Sequence, residues 1–204
     1  MSDPRSSVSQ STPAVNAKDA LRRAHLSTRR ELAADTARKQ SLDDAIVSHT
    51  LACLRETNAV GTNIAAYNPL ATEPGPADFA TRLTGPARTV FLPISLSSGE
   101  LAWSPAAADD AGATGALGVV EPTGARFTSR VLRSCGLIVA PALAVDRGGM
   151  RLGKGKGYYD RALAGLNVPV AAVVYDADIV DAVPCDDHDQ PVDYIITPSG
   201  FFRV

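Results

Sequence analysis

The sequence predicts a single three-layer α/β domain with a mostly parallel central sheet. A chain of 204 residues is long enough for one compact domain with a sizeable core and too short for two. Short apolar segments alternate with helical patterns, as in βαβ units. Two apolar runs, "GLIVAPALAV" and "PVAAVVY", lack alternating polar residues, which is typical of parallel strands buried on both faces. We assign residues 16–204 to this domain and expect the polar residues 1–15 to form a disordered tail.

Two helices open the predicted domain. The first follows an N-cap predicted at Asn16, and its amphipathic stripe consists of Leu21, Ala24, Thr28 and Leu32. The face opposite that stripe is strongly basic and carries Lys18, Arg22, Arg23, Arg29 and Arg30. The second helix is predicted over residues 35–56, where apolar residues recur at three- and four-residue spacing.

Apolar segments bounded by Pro, Gly and Asn predict the strands. In chain order they are "IAAYNP" (64–69), "TVFLPI" (89–94), "ELAWSP" (100–105), "LGVVEP" (117–122), "GLIVAPALAVD" (136–146), "PVAAVVYD" (169–176) and "YIITP" (194–198). The mixed segment "ELAWSP" is expected to be an antiparallel edge or hairpin strand. Two further helices are predicted between strands, at residues 76–83 and 158–166.

The composition limits the kinds of molecule that the protein is expected to bind. A formal net charge of −2 gives no positive field for nucleic acid, and no apolar run approaches the roughly 18–20 residues that span a bilayer. Cys53, Cys135 and Cys185 are far apart and odd in number, which predicts unpaired packing thiols in a reducing compartment. We therefore expect a cytoplasmic monomer that binds a small molecule and neither nucleic acid nor membrane.

The most informative segment is residues 139–161, "VAPALAVDRGGMRLGKGKGYYDR". A buried strand is followed by a loop with five glycines and three cations, and then by a helix that starts near Tyr158. Glycine lets backbone N–H groups approach a ligand without obstruction by a Cβ atom. The helix N-terminus adds a positive dipole, and Arg151, Lys154 and Lys156 add full charges. This combination predicts a site for phosphoryl oxygens.

Neither of the two common phosphate-binding patterns is complete in this loop. Gly148, Gly153 and Lys154 match the start of G-x-x-x-x-G-K-[ST], but Gly155 occupies the position of the hydroxyl residue. Tyr158 occupies the third glycine of a dinucleotide fingerprint, and no acidic ribose-binding residue can be placed. A long solvated turn is the alternative interpretation of these glycines.

Candidate metal ligands are few. Asp160 follows the loop by one helical turn, and Mg²⁺ is commonly held by one or two carboxylates together with substrate phosphates. Alternatively, this carboxylate only interacts with the helix dipole. His25, His49 and His188 lie on separate segments without metal-site spacing, so each is expected at the surface or the core edge.

Four pieces of the chain together carry a family resemblance. They are "KDALR", "EP" at Glu121, "PALAVDRGGMRLGKGKGYYDR" and "VPCDDHDQPVDYIITP". In this order and spacing, over residues 18–198, they resemble the 5-formyltetrahydrofolate cyclo-ligase family, also called methenyltetrahydrofolate synthetase. The string R-L-G-x-G-K-G-Y-Y-D is highly specific for that family.

The resemblance implies an α/β fold like that of sugar-phosphate isomerases and CoA transferases, and an ATP-driven ring closure. 5-Formyltetrahydrofolate and MgATP become 5,10-methenyltetrahydrofolate, ADP and phosphate. The formyl oxygen attacks the γ-phosphoryl group, and the N-10 amine then displaces phosphate. This chemistry requires positioning and electrostatic stabilisation rather than a covalent protein nucleophile.

The resemblance also implies roles for individual residues. Lys18 and Arg22 reach ATP from the first helix, and Lys18, Arg151 and Lys156 act on the transferring phosphoryl group. The nucleotide loop consists of Arg151, Leu152, Gly153, Lys154, Gly155, Lys156, Gly157, Tyr158 and Tyr159. The magnesium carboxylates are Asp160 and Asp189, with Asp186, Asp187 and Asp193 as alternatives to Asp189.

On the folate side, Glu73 resembles the family's folate-binding glutamate, a carboxylate suited to a bidentate contact with an aminopyrimidinone edge. Asn68 resembles a residue that lines the same pocket. Tyr158 is a candidate to stack on the pteridine or p-aminobenzoyl ring, and Trp103 is a second candidate whose alternative role is core packing. The chain departs from the family pattern after Glu73, where it continues with the residues Pro-Gly-Pro at 74–76.

Two other functions remain as alternatives. The shared fold would also suit an enzyme that acts on a phosphorylated sugar without ATP. A non-catalytic nucleotide- or folate-binding regulator would bind ligand tightly without turnover. ATP-dependent formation of the absorbing methenyl product distinguishes both from a cyclo-ligase.

Overall fold

The computed structural model describes residues 13–106, 113–114, 120–186 and 189–204. Its helices are α1 (Pro13–Ala34), α2 (Thr36–Glu56), α3 (Phe79–Thr84) and α4 (Tyr158–Leu163). Its strands are β1 (Asn63–Ala65), β2 (Thr89–Ser95), β3 (Leu101–Pro105), β4 (Ala113–Thr114), β5 (Val120–Glu121), β6 (Phe127–Thr128), β7 (Cys135–Pro141), β8 (Ala144–Asp146), β9 (Arg151–Leu152), β10 (Val170–Val173), β11 (Ile179–Val180), β12 (Tyr194–Thr197) and β13 (Gly200–Arg203).

Eight strands form the central sheet in the order β13-β12-β10-β7-β1-β2-β3-β6. The five strands from β12 to β2 run parallel, whereas β13, β3 and β6 pair antiparallel towards the two edges. The predicted α/β class with a mostly parallel sheet is therefore confirmed. The expected antiparallel strand "ELAWSP" is β3. Strand β13 was not predicted.

Two predicted strands differ from those observed. The run "GLIVAPALAVD" is divided: β7 ends at Pro141, and β8 pairs with β9 and β11 in a separate three-stranded sheet. Of the segment "LGVVEP", only residues 120–122 are described, and they include β5, which forms a two-stranded ribbon with β4. Residues 115–119 lie outside the described part of the chain.

Alternate residues of the central strands enter two different cores. In β7, Leu137 and Val139 pack with α2 and α3, whereas Ile138 and Ala140 pack with α4 on the opposite face. Strand β10 divides in the same way. Both faces of the sheet are covered, which explains the unbroken apolar runs and gives the predicted three layers.

The ends and the faces of the first two helices show where the sequence-based predictions hold. Helix α2 has almost the predicted bounds, and Asp35 caps it, since its side chain accepts a hydrogen bond from Arg38 N at 3.1 Å. Helix α1 begins at Pro13, so the prediction of an N-cap at Asn16 is wrong. Proline suits a first helical position because its missing N–H has no intrahelical partner there.

The buried stripe of α1 also differs from the predicted one. Its most buried residues are Lys18, His25 and Arg29, whereas Ala24 and Thr28 are exposed. Spacings of seven and four residues place these three on one face of the helix. Leu21 and Leu32 of the predicted stripe still pack against the cores, so the face of α1 that turns towards the domain combines part of that stripe with three buried polar residues.

A buried ion pair fixes this face of α1. Arg29 is 2% exposed and donates to Asp178 Oδ2 from Nη2 at 2.7 Å and from Nε at 3.0 Å. Asp178, which is 1% exposed, also contacts His25 Nδ1 at 2.7 Å. Arg29 Nη2 donates further to Ala142 O at 2.6 Å, just after β7. The pair therefore joins α1 to the segments that follow β7 and β10.

The cysteines are only partly as expected. Cys53 and Cys135 are buried, and burial raises the pKa of each thiol to about 12, so both are neutral packing residues. Cys185 is exposed, and for this residue the predicted packing role is wrong. Within the described part of the chain, no helix has both the length and the apolar character needed to cross a membrane.

The Arg29–Asp178 pair makes a stability prediction. Asp178→Ala leaves the Arg29 guanidinium buried without its anion, so the free energy of unfolding should fall by about 3–5 kcal/mol. Urea denaturation measures this loss. The control is Arg82→Ala, which removes the half-exposed ion pairs to Asp44 and Asp78 and should cost about 1 kcal/mol or less. Equal losses in the two variants would contradict the importance of the buried pair.

Candidate active site

A cavity of about 450 Å³ opens at the carboxyl ends of the parallel strands. The chain leaves β1 towards β2 on one side and later returns through β7 on the other, so the connections diverge between β1 and β7. Ligands of open α/β sheets bind at such a topological switch point. Residues after β1, including Tyr67 and Asn68, and residues after β7, including Ala142 and Leu143, line the cavity. Helix α1 and the glycine-rich loop contribute the cations, and Asp186 and Asp189 contribute carboxylates.

The glycine-rich loop is more ordered than a solvated turn. Strands β8 and β9 form an antiparallel hairpin, and Asp146 Oδ1 closes its turn by accepting from Gly148 N at 2.9 Å and Met150 N at 3.0 Å. Arg151 and Leu152 belong to β9 and are buried. The segment from Arg151 to Asp160 then lines one side of the cavity.

Arg151 is anchored at one end of its guanidinium group only. Its Nη2 donates to Asp160 Oδ1 at 2.6 Å, and its Cζ lies 5.9 Å from the centre of the Tyr159 ring. Its Nε and the Tyr159 hydroxyl are buried without hydrogen-bond partners among the described residues. Burial and the charge of Glu73 raise the pKa of Tyr159, so its hydroxyl keeps its proton. Both groups are donors for which a ligand oxygen would be an acceptor.

Lys18 and Arg22 reach the cavity from α1 as the sequence predicts, but each is already engaged. Lys18 Nζ lies 2.6 Å from Asp186 Oδ2 and 2.6 Å from Asp189 Oδ2. Burial alone would lower the pKa of Lys18, but these hydrogen bonds and the two negative charges raise it, so the ammonium group remains charged. Arg22 Nε donates to Gly153 O at 3.0 Å, which ties the loop to α1.

Gly155 is required where the loop passes Arg22. Its φ of +90° lies in the region that favours glycine, and a Cβ atom would lie 3.2 Å from Arg22 Cζ. The neighbouring Lys156 lines the cavity, is exposed and makes no ion pair with the described residues. Its ammonium group is therefore available to an anionic ligand.

Glu73 meets the glycine-rich loop directly. Its Oε1 lies 2.5 Å from Lys154 Nζ, and its Oε2 accepts from Leu70 N at 2.8 Å. Glu73 is buried, whereas the Lys154 side chain is 44% exposed. This contact places the predicted folate-binding carboxylate and a predicted ATP-binding lysine in one cavity.

The two aromatic candidates, Tyr158 and Trp103, lie in different environments. Tyr158 lines the cavity, and Arg161 Cζ lies 5.6 Å from the centre of its ring. Trp103 is fully buried, packs edge-on against Tyr159 with ring centres 6.3 Å apart, and donates to Ser129 Oγ at 3.2 Å. Trp103 is therefore a core residue and not a cavity residue.

The acidic residues divide between the cavity and the fold. Asp160, Asp186 and Asp189 line the cavity, whereas Asp193 accepts from Val170 N at 2.8 Å and supports the β10–β12 region. Asp187 and His188 lie outside the described residues. Among the described residues, no group of three or more His, Cys, Asp or Glu side chains could hold a metal ion by itself. Two hard carboxylates beside a cationic phosphate pocket nevertheless fit Mg²⁺, which also takes phosphate and water oxygens as ligands.

Arg29 is a charged cavity residue to which the sequence analysis gave no role. Its sequence position contains a usable signal, since it lies seven residues after Arg22 and eleven after Lys18, on the same face of α1. Tyr67, which follows β1, also lines the cavity without having been predicted.

Comparison with known proteins agrees with this arrangement. Residues 14–198 match the 5-formyltetrahydrofolate cyclo-ligase family. The 5-formyltetrahydrofolate cyclo-ligase of Mycolicibacterium smegmatis is 32% identical over 146 residues, which are 68% of this chain and 75% of the relative.

Two solved structures share the fold. The NMR structure of Aquifex aeolicus 5,10-methenyltetrahydrofolate synthetase has a TM-score of 0.75 at 26% identity and covers 91% of this chain and 92% of that chain. The 5,10-methenyltetrahydrofolate synthetase from Mycoplasma pneumoniae has a TM-score of 0.70 at 25% identity and covers 89% of this chain and 98% of that chain. A match that extends over almost the whole length, in sequence and in fold, shows that this chain belongs to the 5-formyltetrahydrofolate cyclo-ligase family.

Proposed function

We propose that the cavity binds ATP and 5-formyltetrahydrofolate side by side and converts them to 5,10-methenyltetrahydrofolate, ADP and phosphate. The observation that carries this proposal is the Lys154–Glu73 ion pair, because it brings the nucleotide loop and the folate-binding glutamate into contact. Two ligands bound on either side of this contact would be neighbours. Transfer of a phosphoryl group between them requires such proximity.

The cationic side of the cavity is assigned to the ATP phosphates. Arg151 and Lys156 from the loop and Lys18 and Arg22 from α1 surround this side, and the loop glycines present backbone N–H groups. The unpartnered Arg151 Nε supports the assignment, because an acceptor that is absent from the protein would satisfy it. Lys156, with no ion pair among the described residues, is assigned to the terminal phosphate.

The opposite side is assigned to the folate. Glu73 would accept hydrogen bonds from the aminopyrimidinone edge, as a carboxylate with two acceptor oxygens can. Asn68 lines the same cavity, and Tyr158 offers an aromatic surface for the pteridine or p-aminobenzoyl ring.

The reaction then follows from placement and charge. The formyl oxygen attacks the γ-phosphorus, the bond from phosphorus to the bridging oxygen breaks, and ADP leaves. The N-10 amine attacks the activated formyl carbon and loses its proton, and the former formyl oxygen departs with the phosphate. Lys18, Arg151 and Lys156 would stabilise the negative charge that shifts between phosphoryl oxygens.

Asp160 and Asp189 are assigned to Mg²⁺. When bound, the ion would offset charge on the triphosphate. Asp160 contacts Arg151, and Asp189 contacts Lys18. Each carboxylate that would hold the metal therefore lies beside a cation that would hold phosphate.

One copy of the chain in the cytoplasm is assigned as the working unit. Three unpaired cysteines suit a reducing compartment.

Lys156→Ala tests the nucleotide assignment. Loss of a cation that acts on the transferring phosphoryl group should lower kcat by about 10²–10³ while the protein remains folded. The rate of ATP-dependent methenyl absorbance measures kcat. Arg147→Ala, which removes an exposed cation on the same hairpin outside the cavity, should retain kcat within about twofold. Equal rates for wild type and Lys156→Ala would remove Lys156 from the site.

Glu73→Gln tests the folate assignment. Loss of a charge-assisted acceptor should raise KM for 5-formyltetrahydrofolate by about tenfold or more and change KM for ATP much less. Steady-state kinetics with each substrate varied in turn give both constants. Glu56→Gln, an exposed glutamate at the end of α2, is the control. A parallel rise of both KM values would show that Glu73 does not bind folate specifically.

Asp160→Asn tests the metal assignment. Removing one carboxylate ligand should raise the Mg²⁺ concentration for half-maximal rate several-fold, because a neutral amide binds a hard cation more weakly. A titration with Mg²⁺ at saturating ATP gives this concentration. Asp193→Asn is the control, since Asp193 lies outside the cavity. An unchanged Mg²⁺ dependence in Asp160→Asn would contradict the assignment.

A further inference from the structure

A buried carboxylate on α2 contacts the turn that carries Glu73. Asp43 is only 3% exposed. Its Oδ1 accepts from Gly75 N at 3.0 Å and from the Tyr175 hydroxyl at 2.8 Å, and its Oδ2 pairs with Lys39 Nζ. Both oxygens of Asp43 are therefore engaged, and one of them serves the backbone two residues after Glu73.

The backbone of residues 73–75 is held at each position. The Tyr67 hydroxyl donates to Pro74 O at 2.6 Å, and the Tyr175 hydroxyl lies 3.3 Å from Glu73 O. All three residues of the turn are buried. Among these contacts, the hydrogen bond from Gly75 N to Asp43 connects the turn to helix α2.

The turn has little room for an alternative conformation. Gly75 has a φ of +104°, which favours glycine, and a Cβ atom there would lie 3.1 Å from Pro69 Cγ and 3.2 Å from Phe79 Cγ. A tightly packed turn with few internal hydrogen bonds depends on outside partners to fix it. The carboxylate of Asp43 is such a partner.

We propose that Asp43 is a positioning residue that fixes the turn at residues 73–75 and so aims the Glu73 carboxylate at the folate; this inference rests on the proposed function. A binding carboxylate is effective only when its position is held to a fraction of an ångström. Glu73 lies on a loop, and among the residues that the structure describes its side chain has only Leu70 N and the half-exposed Lys154 as partners. Asp43 supplies the rigidity from α2 without touching the substrate.

The test compares Asp43→Ala with Asp43→Asn. Alanine leaves the Gly75 N–H and the Tyr175 hydroxyl without their acceptor, so KM for 5-formyltetrahydrofolate should rise at least fivefold while KM for ATP stays within twofold. Asparagine retains an oxygen at the same place and should recover most of the loss. Tyr175→Phe removes only the hydroxyl and should give a smaller rise, which provides the same comparison should Asp43→Ala fail to fold.

Cys53→Ala is the matched control. This substitution removes a fully buried thiol from α2, away from the turn. It should lower the melting temperature without changing KM for 5-formyltetrahydrofolate. A folate KM within twofold of wild type in folded Asp43→Ala, or an equal rise in both KM values, would overturn the proposal. A folate KM that rises equally in Cys53→Ala would overturn it as well.

Amide hydrogen exchange separates this inference from the proposed function. Asp43→Ala should increase exchange of the Glu73 and Gly75 amides at least tenfold relative to the rest of the domain, whether or not the protein turns over folate. Unchanged exchange would overturn the positioning role. Absence of ATP-dependent turnover in the wild type would overturn the proposed function instead.

Discussion

The parallel pairing of β1 with both β2 and β7 determines where everything else in the site can be. Parallel strands end at the same edge of the sheet, so the segments after β1 and β7 are brought side by side although about 75 residues separate them. Glu73 follows one of these strands and Arg151 the other. Helix α1 then closes the edge, held there by the buried Arg29–Asp178 pair.

Most cations of the cavity are paired with carboxylates before any ligand enters. Arg151 pairs with Asp160, Lys18 with Asp186 and Asp189, and Lys154 with Glu73. Cations crowded into a partly buried cleft would repel one another, and the carboxylates offset that repulsion. Three of these carboxylates, Glu73, Asp160 and Asp189, are those that we propose as ligands of folate and Mg²⁺. The groups proposed for ligand binding would therefore also stabilise the unliganded cleft.

The sequence predicts features that depend on neighbouring residues and misses those that depend on distant partners. The central strands are predictable because burial on both faces leaves an unbroken apolar run, as in β7 and β10. The loop at residues 151–157 is predictable because glycines and cations alternate locally. The burial of Arg29 and Asp43 is not predictable, because a charged helical residue is normally solvent-exposed. Asp178, the partner of Arg29, is 149 residues away in the chain.

The Lys154–Glu73 ion pair has an energetic consequence for the order of events. Under the proposed function, a triphosphate that draws Lys154 away from Glu73 would break this contact, and so would a pterin that draws Glu73 away from Lys154. The first ligand to bind would separate the pair, so the second would meet a partner that is already released. Binding of one ligand would then favour binding of the other, and thermodynamic reciprocity would make that benefit equal in both directions. A salt bridge between two half-sites would make a two-substrate cleft prefer to be either empty or full.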